Sequence, residues 1–417
     1  MQRIQPRDSY EGEFTLPGDK SITHRAVMLN ASIDGEAVVT DALIGEDCLS
    51  TCACLRALGA RIDGDGTTLH IGGVQEFLQD TQLNCGNSGT TMRLLTGLLA
   101  GKGVRATLYG DSSLSSRPMK RVSEPLAFLG AEIETTDGHA PLYIRKRELY
   151  GKDITISVSS AQVKSALLLA GLFAEGETSV TEPTKSRDHT ERMLAAMGAD
   201  IQVTDTTTRI KRSALRSVNV QVPSDISSAA YFMALGALKG KTLCKNVGIN
   251  PTRTGILRAF DKLGVKYSLL NKRVLSGEER ADILVEKSPM RAIELTEKEI
   301  PSMVDELPLV ALLCAFAEGE SKITGAKELR VKECDRIHAT TELINRLGGD
   351  CWELPDGFMI KGRKKLLGGD CNSYLDHRIA MTAAVGLIAS EKGGSIADPD
   401  CVNISFPNFF KMLENGF

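Results

Sequence analysis

The chain has 417 residues, of which 42% are hydrophobic and 25% are charged, and its formal net charge at pH 7 is −3. This length exceeds one ordinary hydrophobic core and predicts roughly two domains of about 200 residues each. The nearly balanced charge gives no indication of a nucleic-acid or membrane-surface partner, so any anion site must come from a local concentration of Lys and Arg. Residues 1–17 lack a signal-peptide pattern, and no apolar run reaches about 18 residues, which predicts a cytoplasmic protein.

The ten cysteines are expected to be reduced, because a long chain without a signal peptide is typical of a reducing compartment. Cys48, Cys52 and Cys54 lie in a helix-like segment with no histidine nearby, which favours buried, inert thiols over a metal site. The six histidines are scattered without metal-ligand spacing. No metal site is predicted.

One pattern recurs six times along the chain. Each copy has a small polar cluster, a helix-like stretch of mostly apolar residues, a glycine and a strand-like run. Repetition of this kind indicates the architecture directly. The helix-like stretches are 22–31, 91–100, 163–174, 226–238, 304–317 and 379–389.

A second motif lies between these stretches. Leu58-Gly59-Ala60-Arg61-Ile62 has counterparts at 129–133, 197–201, 263–267 and 347–351. Its glycine suits the end of a helix, and the alternation that follows suits a strand. The sixth copy lacks the hairpin, which the strand-like segment 2–16 could supply. We therefore expect an α/β protein of six β-α-β-α-β-β units, with one domain at 19–215 and the other formed by 216–417 and the N-terminal strand in 1–18.

The polar clusters stand where the helices should begin, and several contain cations. Backbone N–H groups give a helix start a partial positive charge, so cations there are unfavourable unless an anion joins them. Several such starts, converging on one cleft, would hold phosphate and carboxylate groups. The cations at or near predicted helix starts are Lys20, Arg25, Arg93 and Arg378, and those in loops are Arg117, Lys332 and Arg336.

Polar uncharged residues at the same places have two interpretations. They can donate to phosphate or hydroxyl oxygens of a ligand, or they can simply cap the helices. Gly89 allows close approach of a ligand to the backbone or only a tight turn. Asp305 and Glu333 are the acid–base candidates, with a first-turn acid and an ordinary ion pair as the alternatives. The uncharged candidates are Ser21, Thr90, Ser159, Ser160, Gln162 and Ser186.

Four motifs resemble signatures of the 5-enolpyruvylshikimate-3-phosphate synthase family. They are LPGDKSITHR (16–25), GNSGTTMR (86–93), RVKECDRI (330–337) and DHRIAM (376–381). They occur in the family's order and span most of the chain. The resemblance implies transfer of the enolpyruvyl group of phosphoenolpyruvate to the 5-hydroxyl of shikimate 3-phosphate, with release of phosphate and no redox cofactor. It also implies a two-domain inside-out α/β barrel whose helix N-termini face the interdomain cleft, and a monomer.

The resemblance further implies roles for individual residues. Asp305 would take the 5-hydroxyl proton, and Glu333 or Lys20 would protonate the methylene carbon. Phosphoenolpyruvate would be held by Lys20, Gly89, Arg117, Arg336 and Arg378. Shikimate 3-phosphate would be held by Ser21, Arg25, Ser159, Ser160, Gln162, Ser186, Asp305 and Lys332.

The chain departs from the family pattern in places. Ile404 stands where some relatives have a lysine, Asp188-His189 replaces a tyrosine, and Ser159-Ser160-Ala161-Gln162 is one residue longer than the Ser-Ser-Gln form. Gly89 matches the glycine of glyphosate-sensitive members, so sensitivity to glyphosate is a hypothesis.

Two alternatives have distinct signatures. UDP-N-acetylglucosamine enolpyruvyl transferase shares the fold and donor, but its catalytic cysteine has no counterpart in the segment 111–118. A non-catalytic repeat protein that binds anionic metabolites would be stabilised by phosphate without turnover.

Overall fold

The structure is a computed structural model that describes residues 1–416, and Phe417, the last residue of the predicted second domain, lies outside the described residues. None of the helices in residues 1–416 is long and apolar enough to cross a membrane. The α-helices are α1 (Lys20–Ala31), α2 (Glu46–Ala57), α3 (Gly89–Gly101), α4 (Ser112–Ser115), α5 (Lys120–Phe128), α6 (Ala161–Gly171), α7 (His189–Ala196), α8 (Ile226–Lys239), α9 (Gly255–Leu263), α10 (Leu307–Phe316), α11 (Arg336–Arg346), α12 (His377–Ala389) and α13 (Phe409–Glu414). Short 3-10 helices occupy Ile300–Ser302, Lys327–Val331 and Pro399–Ile404.

The strands are short and lie between these helices. They are β1 (Gln2–Ile4), β2 (Glu11–Thr15), β3 (Gly35–Thr40), β4 (Arg61–Asp65), β5 (Thr68–Gly73), β6 (Thr81–Asn84), β7 (Ala106–Tyr109), β8 (Ile133–Thr136), β9 (His139–Ile144), β10 (Asp153–Thr155), β11 (Glu177–Thr181), β12 (Ile201–Val203), β13 (Thr207–Lys211), β14 (Val220–Gln221), β15 (Lys241–Gly248), β16 (Lys266–Leu275), β17 (Glu278–Glu286), β18 (Glu294–Leu295), β19 (Glu320–Ile323), β20 (Asp350–Leu354), β21 (Gly357–Lys361), β22 (Gly369–Asn372) and β23 (Gly394–Ala397).

Within residues 1–416 the strands form six small mixed sheets, which confirms the predicted α/β class. The sheet β6-β7-β9-β8 shows the repeat in full. β6 and β7 are parallel and joined through α3, and the antiparallel strands β8 and β9 follow α5. This order is the predicted β-α-β-α-β-β unit. No single sheet closes into a barrel within residues 1–416.

Three pairings near the N-terminus are not local in sequence. β2 leads into α1 but pairs in parallel with β15, whereas β14 leads into α8 but pairs in parallel with β3. Two of the repeats therefore exchange their first strands. β1 pairs antiparallel with β23 and completes the sheet β1-β23-β22, where the sequence repeat lacks its hairpin.

The chain separates into two compact units. One, which we call the K20 unit, consists of residues 18–222 and 275–278. The other, the D305 unit, consists of 1–17, 223–274 and the chain from Glu279 onward. Residues 220–221 cluster with the K20 unit because β14 pairs with β3. The cleft expected from the family resemblance stays a prediction.

Each unit has a core containing three inner helices, which are α1, α3 and α6 in the K20 unit and α8, α10 and α12 in the D305 unit. These helices are buried nearly along their whole length, and all thirteen residues of α12 are buried. A helix that is apolar all round belongs in such a core. The polar residues are concentrated at the helix starts instead.

Side chains cap five of these six starts. The caps are Asp19, Ser88, Ser160, Asp225 and Asp376, each accepting a bond from a backbone N–H of the first turn. Capping is therefore one real role of the polar clusters. The predicted helix-terminating glycines Gly59, Gly130, Gly198, Gly264 and Gly348 follow the other helices, α2, α5, α7, α9 and α11, and all have positive φ values.

Candidate active site

Lys20 is the first residue of α1 and faces a carboxylate. Its Nζ is 3.1 Å from Oδ2 of Asp47, in the first turn of α2. The Lys20 side chain is 18% exposed and that of Asp47 is 9% exposed. Because a cation at a helix start is unfavourable, Asp47 supplies a compensating charge. Ser21 follows Lys20, and its carbonyl accepts a bond from Nη1 of Arg25 at 3.0 Å.

Gly89, the first residue of α3, lies against two guanidinium groups. A Cβ atom at this position would be 3.2 Å from Nη1 of Arg93 and 3.3 Å from Nη1 of Arg117. Arg93 Nη1 donates to Oε1 of Gln162 at 2.6 Å, and Arg117 Nη2 donates to Oδ1 of Asn87 at 2.8 Å. Two cations beside the backbone of a helix start suit an anionic ligand.

Gln162 joins the starts of two inner helices. It lies in the first turn of α6, and its Nε2 donates to Oγ1 of Thr90 in α3 at 2.9 Å. The sequence had placed Arg93 among the cations near helix starts without giving it a ligand. Its bond to Gln162 now places it beside two predicted site residues.

Arg25 is buried between three helices of the K20 unit. Its Nε donates to Oγ1 of Thr190 at 2.6 Å, and its Nη2 donates to Oγ of Ser165 at 2.9 Å. Burial lowers the pKa of Arg25 to about 10, and the negative charge of Glu191 opposes that change. The guanidinium therefore remains charged near neutral pH.

Three predicted serines surround the start of α6. Ser160 caps the helix, and Oγ of Ser159 accepts the backbone N–H of Thr184 at 2.9 Å. Ser186 lies in the loop before α7. Its Oγ is buried and makes no hydrogen bond with any residue in the described range 1–416. A buried hydroxyl of this kind is costly unless a ligand or water satisfies it.

Arg336, which the sequence places in a loop, is instead the first residue of α11, because Asp335 caps that helix, and it is the centre of the charged cluster in the D305 unit. Its Nε donates to Oδ2 of Asp376 at 2.7 Å, and its Nη2 donates to Oε2 of Glu333 at 2.6 Å. Its Nη1 is 3.5 Å from Oδ1 of Asp305. Burial alone would lower the pKa of Arg336, but Asp376, Glu333 and Asp305 together raise it well above the ordinary arginine value.

Arg378 is the second residue of α12 and is also buried. Burial opposes its charge, whereas neighbouring Tyr231 and the carboxylates of Asp305, Asp225 and Glu306 raise its pKa. Burial in turn raises the pKa of Tyr231 to about 12, although Arg378 counteracts this increase. Two charged guanidinium groups therefore lie near Asp305.

Asp305 precedes its helix instead of opening it. The sequence placed it at the start of the helix, but α10 begins at Leu307, because Pro308 suits the second helical position and Glu306 takes the cap position without a side-chain cap bond. Oδ2 of Asp305 is 3.9 Å from Nη1 of Arg253. The Asp305 side chain is 20% exposed, which leaves part of it accessible.

Arg253 connects Asp305 to the remaining helix start. Its Nη2 donates to Oγ of Ser227 at 2.7 Å and lies 3.3 Å from Oδ1 of Asp225, the cap of α8. The sequence had assigned this start to capping alone, and the structure adds an ion pair.

Lys332 and Glu333 follow the 3-10 helix at Lys327–Val331. Lys332 Nζ is 3.4 Å from Oε1 of Glu328, and both side chains are about one quarter exposed. Glu333 is bound to Arg336 and 19% exposed. Asp188-His189 stands where some family members have a tyrosine. In this structure His189 contacts a carboxylate: its Nδ1 lies 2.8 Å from Oε1 of Glu278.

Sequence reasoning missed the acidic partners of these cations. Asp47 lies in a different helix from Lys20, and Asp376 is 40 residues from Arg336, so neither contact has a local signal. Asp376 did lie inside one of the recognised motifs. Within residues 1–416, no group of three or more His, Cys, Asp or Glu side chains could hold a metal ion.

Comparison with known proteins places the chain in one family. The family model described as EPSP synthase (3-phosphoshikimate 1-carboxyvinyltransferase) matches residues 4–413. A relative named 3-phosphoshikimate 1-carboxyvinyltransferase, from Desulfitobacterium hafniense strain DSM 10664 / DCB-2, is 46% identical over 420 residues, which cover 99% of this chain and 97% of the relative. Its namesake from Bacillus velezensis is 44% identical and covers 97% of both chains.

Solved structures of similar proteins support the same family. EPSP synthase from Acinetobacter baumannii has a TM-score of 0.87 and 40% identity, covering 99% of this chain and 97% of its own. The enolpyruvyl transferase NikO from Streptomyces tendae, at 19% identity and a TM-score of 0.78, shares the fold. The predicted activity, enolpyruvyl transfer in the shikimate pathway, is thereby confirmed, and the matches do not favour either alternative. The chain belongs to the EPSP synthase (3-phosphoshikimate 1-carboxyvinyltransferase) family.

Proposed function

We propose that this family member performs its reaction with Asp305 as the base and with Glu333 or Lys20 as the acid. The observation that carries the proposal is the position of Asp305 and Glu333 on one buried guanidinium, that of Arg336. Both carboxylates are about one fifth exposed, so they are accessible to a ligand while Arg336 fixes their positions.

Phosphoenolpyruvate, the enolpyruvyl donor, carries a phosphate and a carboxylate. Four of the residues proposed to hold it lie at helix starts, and the fifth is an arginine in a loop. Arginine binds both anionic groups through paired hydrogen bonds, and Lys20 acts as a point charge. The proposed set is Lys20, Gly89, Arg117, Arg336 and Arg378.

Shikimate 3-phosphate, the acceptor, carries a phosphate and hydroxyl groups. Hydroxyl and amide side chains suit its oxygens, and Arg25 and Lys332 add positive charge. The buried Ser186 Oγ, which has no partner within residues 1–416, supports its assignment. The proposed set is Ser21, Arg25, Ser159, Ser160, Gln162, Ser186, Asp305 and Lys332.

The addition and the elimination each require two proton transfers. In the addition, the Asp305 carboxylate removes the 5-hydroxyl proton while that oxygen bonds to C2 of phosphoenolpyruvate, and Glu333 or Lys20 gives a proton to the methylene carbon. In the elimination, the bond from C2 to the phosphate oxygen breaks, the deprotonated Glu333 or Lys20 takes a proton from the new methyl group to restore the double bond, and the protonated Asp305 gives its proton to the departing phosphate. The surrounding cations stabilise the charge on the departing phosphate.

Release of inorganic phosphate tests the proposed substrates directly. We expect release only when shikimate 3-phosphate and phosphoenolpyruvate are both present, together with a product whose mass equals the acceptor plus an enolpyruvyl group. Shikimate without its phosphate should react far more slowly, because the phosphate contacts are lost. Equal turnover of shikimate, or binding of both substrates without phosphate release, would contradict the proposal. A cytoplasmic location, supported by cysteines that are all unpaired in the structure, and a monomer, which the family resemblance implies, complete the proposal.

A further inference from the structure

A buried lysine lies behind the proposed acceptor site. Lys164, in the apolar helix α6, is only 1% exposed. Its Nζ lies 2.7 Å from Oε1 of Glu182 and 2.7 Å from Oε1 of Glu191, and both glutamate side chains are 2% exposed. Burying three charges is expensive and rarely increases stability over an apolar alternative. This cost suggests that the cluster serves a specific geometry.

The cluster holds the loop that carries Ser186. Glu182 begins this loop and Glu191 lies in the first turn of α7, just after it, so one ammonium group holds both sides of the loop. Glu182 Oε1 also accepts the backbone N–H of Ser186 at 2.9 Å, and Lys164 Nζ is 3.4 Å from the Ser186 carbonyl oxygen. Both backbone polar groups of Ser186 are therefore bound to the cluster, while its hydroxyl makes no hydrogen bond within residues 1–416.

Two further contacts join the cluster to other residues proposed for shikimate 3-phosphate. The loop bonds to the start of α6 through Thr184 N–H and Ser159 Oγ, at 2.9 Å. Glu191 is also the carboxylate that most strongly supports the charge of Arg25. With Arg25 and Lys164 as cations and two glutamates as anions, the four side chains are balanced in charge.

We infer that Lys164 is a positioning residue for the acceptor: it fixes the loop so that the Ser186 hydroxyl meets shikimate 3-phosphate. It is too deeply buried to touch the substrate and acts through Glu182 and the Ser186 backbone. The inference rests on the proposed role of Ser186, and it makes no claim on the phosphoenolpyruvate contacts.

The test is the double variant K164M/E182Q, which keeps the net charge of the three side chains at −1 and leaves Glu191 beside Arg25. We expect the KM for shikimate 3-phosphate to rise about tenfold, with the KM for phosphoenolpyruvate within about twofold and kcat within about threefold of the parent. K211M is the matched control, since Lys211 pairs with Glu177 at 3.5 Å in the same unit but is 52% exposed. It should leave both KM values unchanged.

An unchanged KM for shikimate 3-phosphate, or equal rises in both KM values, would overturn the inference. S186A distinguishes this failure from failure of the proposed function: if S186A itself leaves that KM unchanged, the assignment of Ser186 is wrong. Should the double variant fail to fold, E182Q provides the same test, because it weakens the link to Ser186 and keeps the Lys164–Glu191 pair. We then expect at least a threefold rise in the KM for shikimate 3-phosphate, and no rise would overturn the inference.

Discussion

Replacing Gly89 with alanine separates ligand binding from stability. The new Cβ would stand 3.2 Å from Nη1 of Arg93 and 3.3 Å from Nη1 of Arg117, closer than side chains normally pack. Each guanidinium must retreat by a few tenths of an ångström. Arg117 is already held by Asn87, so its movement disturbs a position that we assign to phosphoenolpyruvate.

The size of the effect follows from the contacts at risk. A hydrogen bond to a charged group contributes about 1.5–3 kcal/mol. Loss of about half of one such bond, or about 1.4 kcal/mol, raises a dissociation constant about tenfold. The fold should not suffer, because Gly89 does not have a positive φ and alanine is the better helix former by up to about 1 kcal/mol.

The assay is the initial rate of phosphate release at saturating shikimate 3-phosphate with phosphoenolpyruvate varied. We expect the KM for phosphoenolpyruvate to rise about tenfold and the KM for shikimate 3-phosphate to stay within about twofold, with an equal or higher melting temperature. An unchanged KM for phosphoenolpyruvate would refute the placement of that ligand beside Gly89. A lower melting temperature with both KM values raised would indicate a damaged fold instead.

Three further outcomes are expected. His338 Nδ1 donates to Oε1 of Glu353 at 2.8 Å, and this bond raises the pKa of His338, so its stabilisation is complete below about pH 6.5 and is lost as pH rises through the folded-state pKa. H338Q should therefore lower the free energy of unfolding more at about pH 5.5 than at about pH 9, by less than about 1 kcal/mol since the ring is 57% exposed, and an effect independent of pH would exclude this pair as the cause. Eight of the ten cysteines are buried, and burial raises the pKa of Cys52 to about 11. At most two cysteines should therefore react quickly with an aromatic disulfide reagent in the folded protein, and all ten should react after unfolding. Fewer than ten reactive thiols after unfolding would reveal a disulfide. Glyphosate should compete with phosphoenolpyruvate, and a titration to about millimolar inhibitor without competition would contradict the hypothesis based on Gly89.

Local polarity made much of the architecture predictable. The polar clusters at the helix starts and the glycines at the helix ends are determined by hydrogen bonding within a few residues, so Ser160 and Asp376 indeed cap helices and Gly264 indeed ends one. The exchange of β2 and β14 between repeats depends on pairings about 180 to 230 residues apart, for which a single sequence contains no local signal.

The candidate site residues were predictable only where the local sequence marks them. Cations at helix starts were visible because they oppose the helix dipole, and in the structure Lys20 lies beside a carboxylate and Arg93 beside an amide. The partners of the candidate residues were not visible: Asp47 contacts Lys20 and Arg253 contacts Asp305, each from another element. Lys164 did break the apolar run of α6, and that interruption was the one signal of the buried cluster. The helix start was predicted at Asp305, two residues too early, because Glu306 takes the cap position and Pro308 the second helical position.

The most direct test of the account is the rate of phosphate release by D305A with both substrates saturating. A general base contributes about 10²–10⁴-fold to a rate, so we expect a loss of that size, while D400A, which removes an exposed aspartate of the same unit, retains the parental rate. A D305A rate within about threefold of the parent would contradict the assignment of Asp305 as the base.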